Sequence, residues 1–304
     1  MDAAEVAAVR RFNRAVTQRV GALDDAFLAR GRSLGHSRLL WEIGEGGAEL
    51  RDLRARLDLD SGYLTRLLQA LEASGLVAVA ATPGDARSRT AVLTDAGVRE
   101  RRELDRLSDA QAESLLAPLT DLQRRRLVEA MAVVERLLDA SAVDFAVVDP
   151  ADPDARAAVG QYVAELAQRF DAGFDLDTTL PLDDEALRAP SGLLVLARLH
   201  GEAVGLGGLK LLEARVGEIK RVWVSPAARG LGLGRRLLAD LEARARDHGC
   251  ASVRLDTNRA LTEAIALYRS AGYREVDRFN DEPYAHHWFV KDLTSAPTSR
   301  GETR

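Results

Sequence analysis

The stretch W223-V-S-P-A-A-R-G-L-G-L-G-R-R-L-L-A-D-L-E-A-R-A-R246 carries glycine at 230, 232 and 234. It separates the β-branched run "GEIKRVWV" (217–224) from a run with leucine and alanine at helical spacing. Glycine loses more backbone freedom on folding than any other residue. Three of them at alternate positions therefore mark a backbone that must turn sharply or be approached closely. A strand entering such a loop, with a helix leaving it, points the unpaired N–H groups of the helix start back at the loop. Helix starts of this kind attract anions, and Arg229 and Arg235 add positive charge. Two phosphate motifs do not fit. A P-loop ends in Gly-Lys-Ser/Thr, whereas Arg235-Arg236 follows Gly234, and G-x-G-x-x-G would need glycine where Arg235 or Leu237 stands. On these residues alone the loop is either an anion cradle or a tight strand–helix turn.

The chain around it has two rhythms. Up to about residue 141 the pattern is mainly helical, and from about 145 strands and helices alternate. The join "LLDASAVDFAVVDPADPD" ends a helix and enters a β-branched run followed by prolines. The reading is a domain over 1–141, a second over 145–293 and a disordered tail over 294–304. With 304 residues there is room for two domains of ordinary size. The second half reads as strand 145–150, helix 153–170, a loop or short helix over 171–190, and strands near 192–199, 203–212 and 217–224. A helix to Gly249, strand 252–258, helix 261–272 and strands near 273–279 and 286–293 complete it.

Cys250 is the single cysteine, which excludes an intrachain disulfide and fits a reducing, cytoplasmic setting. The five histidines show no metal-ligand spacing, so no metal is expected. No apolar run is long enough to span a bilayer, and no membrane association is expected. Net charge is −5. Residues 1–143 carry 21 Arg and no Lys against 22 acids, so any nucleic-acid binding must come from a local basic face.

Arg229-x-x-Gly232-x-Gly234, together with "VRLDTN" (253–258), "ALYRSAGY" (266–273) and "HHWFVKDL" (286–293), resembles the GNAT N-acetyltransferases, whose loop motif is Q/R-x-x-G-x-G/A. The resemblance spans about 145–293. It implies an α/β fold whose mixed sheet splays between its fourth and fifth strands, with acetyl-CoA as co-substrate. Pantetheine would run along the backbone near Val222, Trp223 and Val224. The diphosphate would rest on the amides of Arg229, Gly230, Leu231, Gly232, Leu233, Gly234 and Arg235, and Asn258 would touch the cofactor arm. Glu218 matches a general-base position; otherwise it is a surface carboxylate or a partner for Lys220 on the same strand face. Tyr268 matches the tyrosine that contacts the sulfur and serves as acid; otherwise it is a core aromatic. The implied reaction is acetyl transfer to an amine, either a small amine or amino acid or a lysine side chain. The acids Asp171, Asp175, Asp177, Asp183, Asp184 and Glu185 fit a cationic acceptor or an ordinary solvated loop.

In the first half, "ELRDLRARL" (49–57) and "SGYLTRLLQALEASG" (61–75) form two helices about a turn. Leu64, Leu67, Leu68 and Leu71 make one apolar face. Ser61, Gly62, Thr65, Arg66 and Gln69 face the other way, with Tyr63 near the edge, and these are residue types that contact base edges and phosphates. Asp60 is a candidate N-cap. Two short strands about "PGDARSR" follow, putting Arg87 and Arg89 near the tip. Asp85-Ala-Arg87 and Leu93-Thr94-Asp95-Ala96-Gly97 resemble the D-x-R wing and LT-x-x-G signature of the MarR regulators. That resemblance covers about 1–140. It implies a mainly α winged helix-turn-helix that binds double-stranded DNA as a homodimer, through helices near 3–20, 95–117 and 121–140. The expected function is an N-acetyltransferase joined to a DNA-binding regulator. The alternative is a regulator whose acetyltransferase half senses acetyl-CoA without turnover.

Overall fold

A computed structural model describes residues 2–82, 85–171, 173–175 and 184–294, with the side chains of 82 and 85–87 left aside. The chain divides into two compact units, Met1–Ala130 and Met131–Arg304.

The first unit opens with α1 (Ala3–Arg19), started by a capping box in which Asp2 and Glu5 satisfy each other's backbone N–H needs. No residue of α1 is buried within the unit. Helix α2 (Leu34–Ile43) and the short strand β1 (Ala48–Glu49) lead to α3 (Leu50–Leu57) and α4 (Ser61–Ala73). Strands β2 (Val77–Thr82) and β3 (Asp85–Leu93) pair antiparallel, and β1 adds to the free edge of β3, giving the order β1-β3-β2. Helix α5 (Asp95–Leu116) follows, capped by Thr94, and α6 (Asp121–Ala142) runs on through the division between the units. The core gathers Leu39, Leu40, Leu53 and Ala91 around the expected apolar face of α4. Glu100 is buried, and Arg30 and Arg32 neutralise it; hydrogen bonding to Arg30 outweighs burial and holds its carboxyl below the usual range.

The second unit has a seven-stranded sheet. Its strands are β4 (Asp144–Val148), β5 (Gly192–Leu199), β6 (Glu202–Leu212), β7 (Val216–Val224), β8 (Ser252–Thr257), β9 (Arg274–Val276) and β10 (His287–Asp292), in the order β4-β5-β6-β7-β8-β10-β9. Among the described residues only the β7–β8 pairing is parallel, so the sheet is mixed, as expected. Helices α7 (Pro153–Arg169), α8 (Leu233–Asp247) and α9 (Thr262–Ser270) complete it. Leu237, Leu238, Leu241 and Ala245 of α8 bury one face against Val195, Leu209 and Val253 of the sheet.

Candidate active site

Two backbone features make the site. Strands β7 and β8 share three residue pairs, Val216–Ser252, Gly217–Val253 and Glu218–Arg254, and then part. This is the splay expected between the fourth and fifth strands. On the other side of β7, Leu206 pairs with Trp223 and Gly208 with Lys220, so Arg221 and Val222 together oppose Gly207. Arg221 has φ of 55°, a left-handed conformation unusual for a residue with a Cβ. Beyond the bulge Trp223 and Val224 pair again with Leu206 and Gly205 of β6, and Val222 lines the gap on the side that β8 has left.

The glycine loop closes one end of that gap. Gly230 and Gly232 have φ of 83° and 72°, which an L-side chain rarely adopts, and Gly232 is the N-cap of α8. Gly234 answers a different need: a Cβ there would lie 3.2 Å from Leu267 Cδ2 of α9. Among the described residues, none accepts a hydrogen bond from the N–H groups of 230 to 235. Six consecutive donors without a described acceptor, at the positive end of the α8 dipole, are chemically suited to an anion. The cavity beside the loop is lined by Val222, Trp223, Val224, Arg229, Gly230, Gly232, Leu233, Gly234, Arg235 and Tyr268, among others. Leu231 turns the other way and packs with Val143 and Ala197.

The side chains around the loop are more committed than their sequence positions suggest. Arg229 donates to both oxygens of Glu165, at 2.6 and 2.5 Å, and to the Val224 carbonyl at 3.2 Å. Glu165 also accepts from Trp223 Nε1 at 2.8 Å. Arg235 donates to Ser270 Oγ at 2.6 Å. The amides, not these guanidinium groups, are therefore what the loop presents. Asn258 is also held by protein partners. It lines the neighbouring cavity, donating to the Tyr284 carbonyl and accepting from Ala260 N–H, both at 2.8 Å. Its amide ties the 277–286 segment to the end of β8, because a buried amide must spend its donors and acceptors locally.

That neighbouring cavity meets the first at Tyr162, Leu166, Val222, Leu261, Ala264 and Tyr268. Tyr268 and Tyr162 both line the junction, and burial raises the pKa of both phenols, so they keep their protons at neutral pH. Glu218 lies on the floor, 5% exposed. Its carboxylate meets Lys220 Nζ at 3.2 Å and Arg254 Nη2 at 2.6 Å, and Lys210 faces it across the β6–β7 ladder. Burial alone would raise its pKa, but Lys220 and Arg254 outweigh burial and hold the carboxyl below its ordinary range. The pairing with Lys220, one of the alternatives for Glu218, is present. Direct proton capture from an ammonium is a poor match to so acidic a carboxyl. Lys220 in turn donates to Asp256 at 2.5 Å, and Asp256 accepts from Asn280, whose carbonyl takes Trp288 Nε1. Sequence reasoning missed this lattice, and Tyr162, Glu165 and Arg221 as well. Only the alternation Glu218-x-Lys220 and Arg254-x-Asp256 on adjoining strands hinted at it.

In the first unit, α4 presents what was expected of it. Leu64, Leu67, Leu68 and Leu71 are buried, and Ser61, Tyr63, Thr65, Arg66 and Gln69 are exposed. Asp60 accepts from Tyr63 N–H at 2.8 Å, and the Arg66 guanidinium lies 5.6 Å from the Tyr63 ring centre. Arg89 is exposed on β3; the Arg87 side chain lies outside the described residues. Among the acids of the 171–190 segment, Asp184 pairs with Arg156 and Glu185 with Arg188. Asp177 and Asp183 lie outside the described residues. No described group of His, Cys, Asp and Glu could hold a metal ion, and no described helix is long and apolar enough to cross a membrane.

The comparisons agree with both halves. The model of the acetyltransferase (GNAT) family matches residues 161–273, and that of the MarR family matches residues 30–88. The IAA acetyltransferase of Azospirillum brasilense is 35% identical over 128 residues, 42% of this chain and 82% of that protein. The uncharacterized N-acetyltransferase YjgM of Escherichia coli (strain K12) is 31% identical over 123 residues, 39% of this chain and 74% of that protein. The HTH-type transcriptional regulator TtmR of Methylorubrum extorquens (strain PA1) is 36% identical over 104 residues, 34% of this chain and 51% of that regulator, about half its length. The chain belongs to the GNAT acetyltransferase family, and ahead of that domain the MarR family model matches its winged helix.

Proposed function

We propose that the chain transfers the acetyl group of acetyl-CoA to a small amine, and that its winged-helix half binds double-stranded DNA as a homodimer. The observation that carries the transferase reading is the run of six unpaired N–H groups at 230–235, beside the gap where β7 leaves β8. A diphosphate fits the amides, and an extended thioester arm fits the exposed edge of β7 along Val222–Val224. The acetyl group would then reach the junction lined by Tyr162 and Tyr268. There the amine nitrogen attacks the thioester carbon, the C–S bond breaks, the nitrogen loses a proton and the sulfur gains one. Tyr268, kept protonated by burial, is the donor to the departing sulfur. The cations around Glu218 argue for an acceptor that arrives as the free amine, with the carboxylate orienting its N–H. Calorimetry with acetyl-CoA and release of free thiol in the presence of amines test the reading. Absence of acetyl-CoA binding would sink it.

The dimer reading draws on α1. A 17-residue helix that buries nothing is marginal on its own, yet Val6, Val9, Phe12 and Val16 lie exposed along it. Leu122, Val128, Leu137 and Leu138 are likewise exposed on α6. Such faces ask for a second copy of the same helices.

The second reading, sensing without turnover, has one observation in its favour. Arg236, next to the amide loop, donates to the Ala140 and Val143 carbonyls at the end of α6. Acetyl-CoA that shifts DNA affinity in a titration supports it, since coupling between sites is reciprocal.

A further inference from the structure

The two cavities of the site meet at Tyr162, Leu166, Val222, Leu261, Ala264 and Tyr268. The side chains other than the tyrosines are aliphatic, so the polar side-chain atoms shared by both cavities are two phenol hydroxyls. Neither hydroxyl has a hydrogen-bond partner among the described residues. The two rings stand on different sides of the gap between β7 and β8. Tyr162, on α7, packs on the cluster that holds Leu206 of β6 and Trp223 of β7, and meets Phe174 edge-on with ring centres 6.5 Å apart. Tyr268, on α9, packs on Tyr273 and on Phe289 of β10, with ring centres 5.9 and 5.8 Å away.

Helix α7 presents Tyr162, Glu165, Leu166 and Arg169 to the cavities at helical spacing. The charged members of that face are committed elsewhere. Glu165 accepts from Arg229, Trp223 and Arg169, and Arg169 donates to Glu263 and to the Ala260 carbonyl. Of these four residues, Tyr162 alone keeps a polar side-chain atom without a described partner. A thioester at the junction brings two atoms that gain negative charge during transfer. Its carbonyl oxygen becomes an oxyanion as the C–N bond forms, and its sulfur leaves as the C–S bond breaks. Between apolar walls a donor aimed at either atom is worth more than in water. Tyr268 answers the sulfur in the reading above, and the oxygen is left for the hydroxyl on the other side of the gap.

Resting on that transferase reading, we propose that Tyr162 is a second catalytic hydroxyl, donating a hydrogen bond to the carbonyl oxygen of acetyl-CoA and holding the oxyanion as it forms. Tyr162 keeps its proton throughout; the proton gained by the sulfur comes from Tyr268.

Tyr162→Phe removes the hydroxyl and leaves the ring. Infrared difference spectra of bound acetyl-CoA, labelled with carbon-13 at the carbonyl, read the contact without turnover. The expected carbonyl band lies below that of the free thioester in wild type, moves back toward it in Tyr162→Phe and stays in place in Tyr268→Phe. Thiol release is then followed with 2-phenylethylamine, L-alanine, spermidine and hydroxylamine as acceptors. For whichever of them reacts, Tyr162→Phe should lower kcat by about a hundredfold or more. The KM of the acceptor and the Kd of acetyl-CoA should hardly move, since the bond strengthens only in the transition state. A carbonyl band unmoved in Tyr162→Phe, or a loss that appears as a raised acceptor KM with kcat intact, overturns the proposal. Acetyl-CoA that binds by calorimetry while none of these amines releases thiol also overturns it, and leaves the cofactor site standing. Acetyl-CoA that does not bind removes the transferase reading and this one with it.

Discussion

Glu218 and Arg254 face each other across the last residue pair that β7 and β8 share, and their side chains close that pair with a 2.6 Å ion contact. The cleft starts where this contact ends. Opposite charges on directly paired strand residues stabilise the pairing, so the bridge sits at the point where the sheet must stay shut for its continuation to open.

Neutralising Glu218 should therefore show itself first in stability. Glu218→Gln leaves Lys220 and Arg254 short of their counter-charge; the loss should be about 1–3 kcal/mol, below the range for fully buried pairs because Arg254 is partly exposed. The sign with pH follows from the lowered folded-state pKa. The contribution is complete above the unfolded-state value and fades as pH falls through the folded-state value. Thermal melts should separate wild type from Glu218→Gln at pH 7, begin to converge only as pH falls below the ordinary carboxylate value of about 4.3, and meet below the lowered folded-state value. A gap that persists unchanged into acid would mean that the carboxylate's charge is not what holds the strands.

The loop glycines can be separated into strain and function. Gly232→Ala forces a Cβ into the left-handed region, at roughly 1–2 kcal/mol. So does Gly249→Ala, whose φ is 80° but which lies beyond the end of α8, away from the amides. Both variants should melt a few degrees lower. Only Gly232→Ala should also weaken acetyl-CoA in calorimetry, by about tenfold, as the amides lose alignment. Equal affinities in the two variants would dissociate the loop from the ligand.

How far the sequence could be read depended on which signal each feature leaves. Leu64, Leu67, Leu68 and Leu71 were legible because helical spacing reports burial directly, and all four are buried. The glycine loop was legible because only glycine suits the backbone at 230 and 232. The bulge at Arg221 left no mark: "EIKRVWV" alternates like any strand, and the left-handed arginine follows from the register shift against β6 between the Lys220–Gly208 and Trp223–Leu206 pairs. Arg229 and Asn258 could be singled out by position, but their partners, Glu165 on α7 and Tyr284 before β10, are far away in the chain. Phe170, Phe174 and Tyr284 converge only after folding, so spacing could not group them. Helix α2 and strand β1, which complete the winged helix, were too short or too weakly patterned to stand out.

If α1 is a dimer element, a charge on its apolar stripe should be decisive. Phe12 is 48% exposed within the unit and makes no core contact there. Phe12→Glu should leave the fold of each unit intact by circular dichroism and shift sedimentation from dimer to monomer. A wild-type chain that already sediments as a monomer at micromolar concentration would remove the dimer reading.

The same dimer sets what is expected on DNA. Arg66, exposed on α4, and Arg89, exposed on β3, belong to different kinds of contact. Arg66 projects from the helix that the winged-helix reading places in the major groove, so Arg66→Ala should weaken a specific site by about 1–3 kcal/mol and relax one base position in each half-site. Arg89 lies on the wing, which the winged-helix reading sets near a phosphate backbone or minor groove; a phosphate contact has its own signature. Arg89→Ala should weaken all sequences alike and reduce the slope of log K against log salt by about one per protomer. Competition titrations over a range of salt concentrations, with a selected site and a scrambled one, distinguish these outcomes. If both variants behave as wild type on every duplex, the winged helix is a scaffold and the acetyltransferase works without DNA.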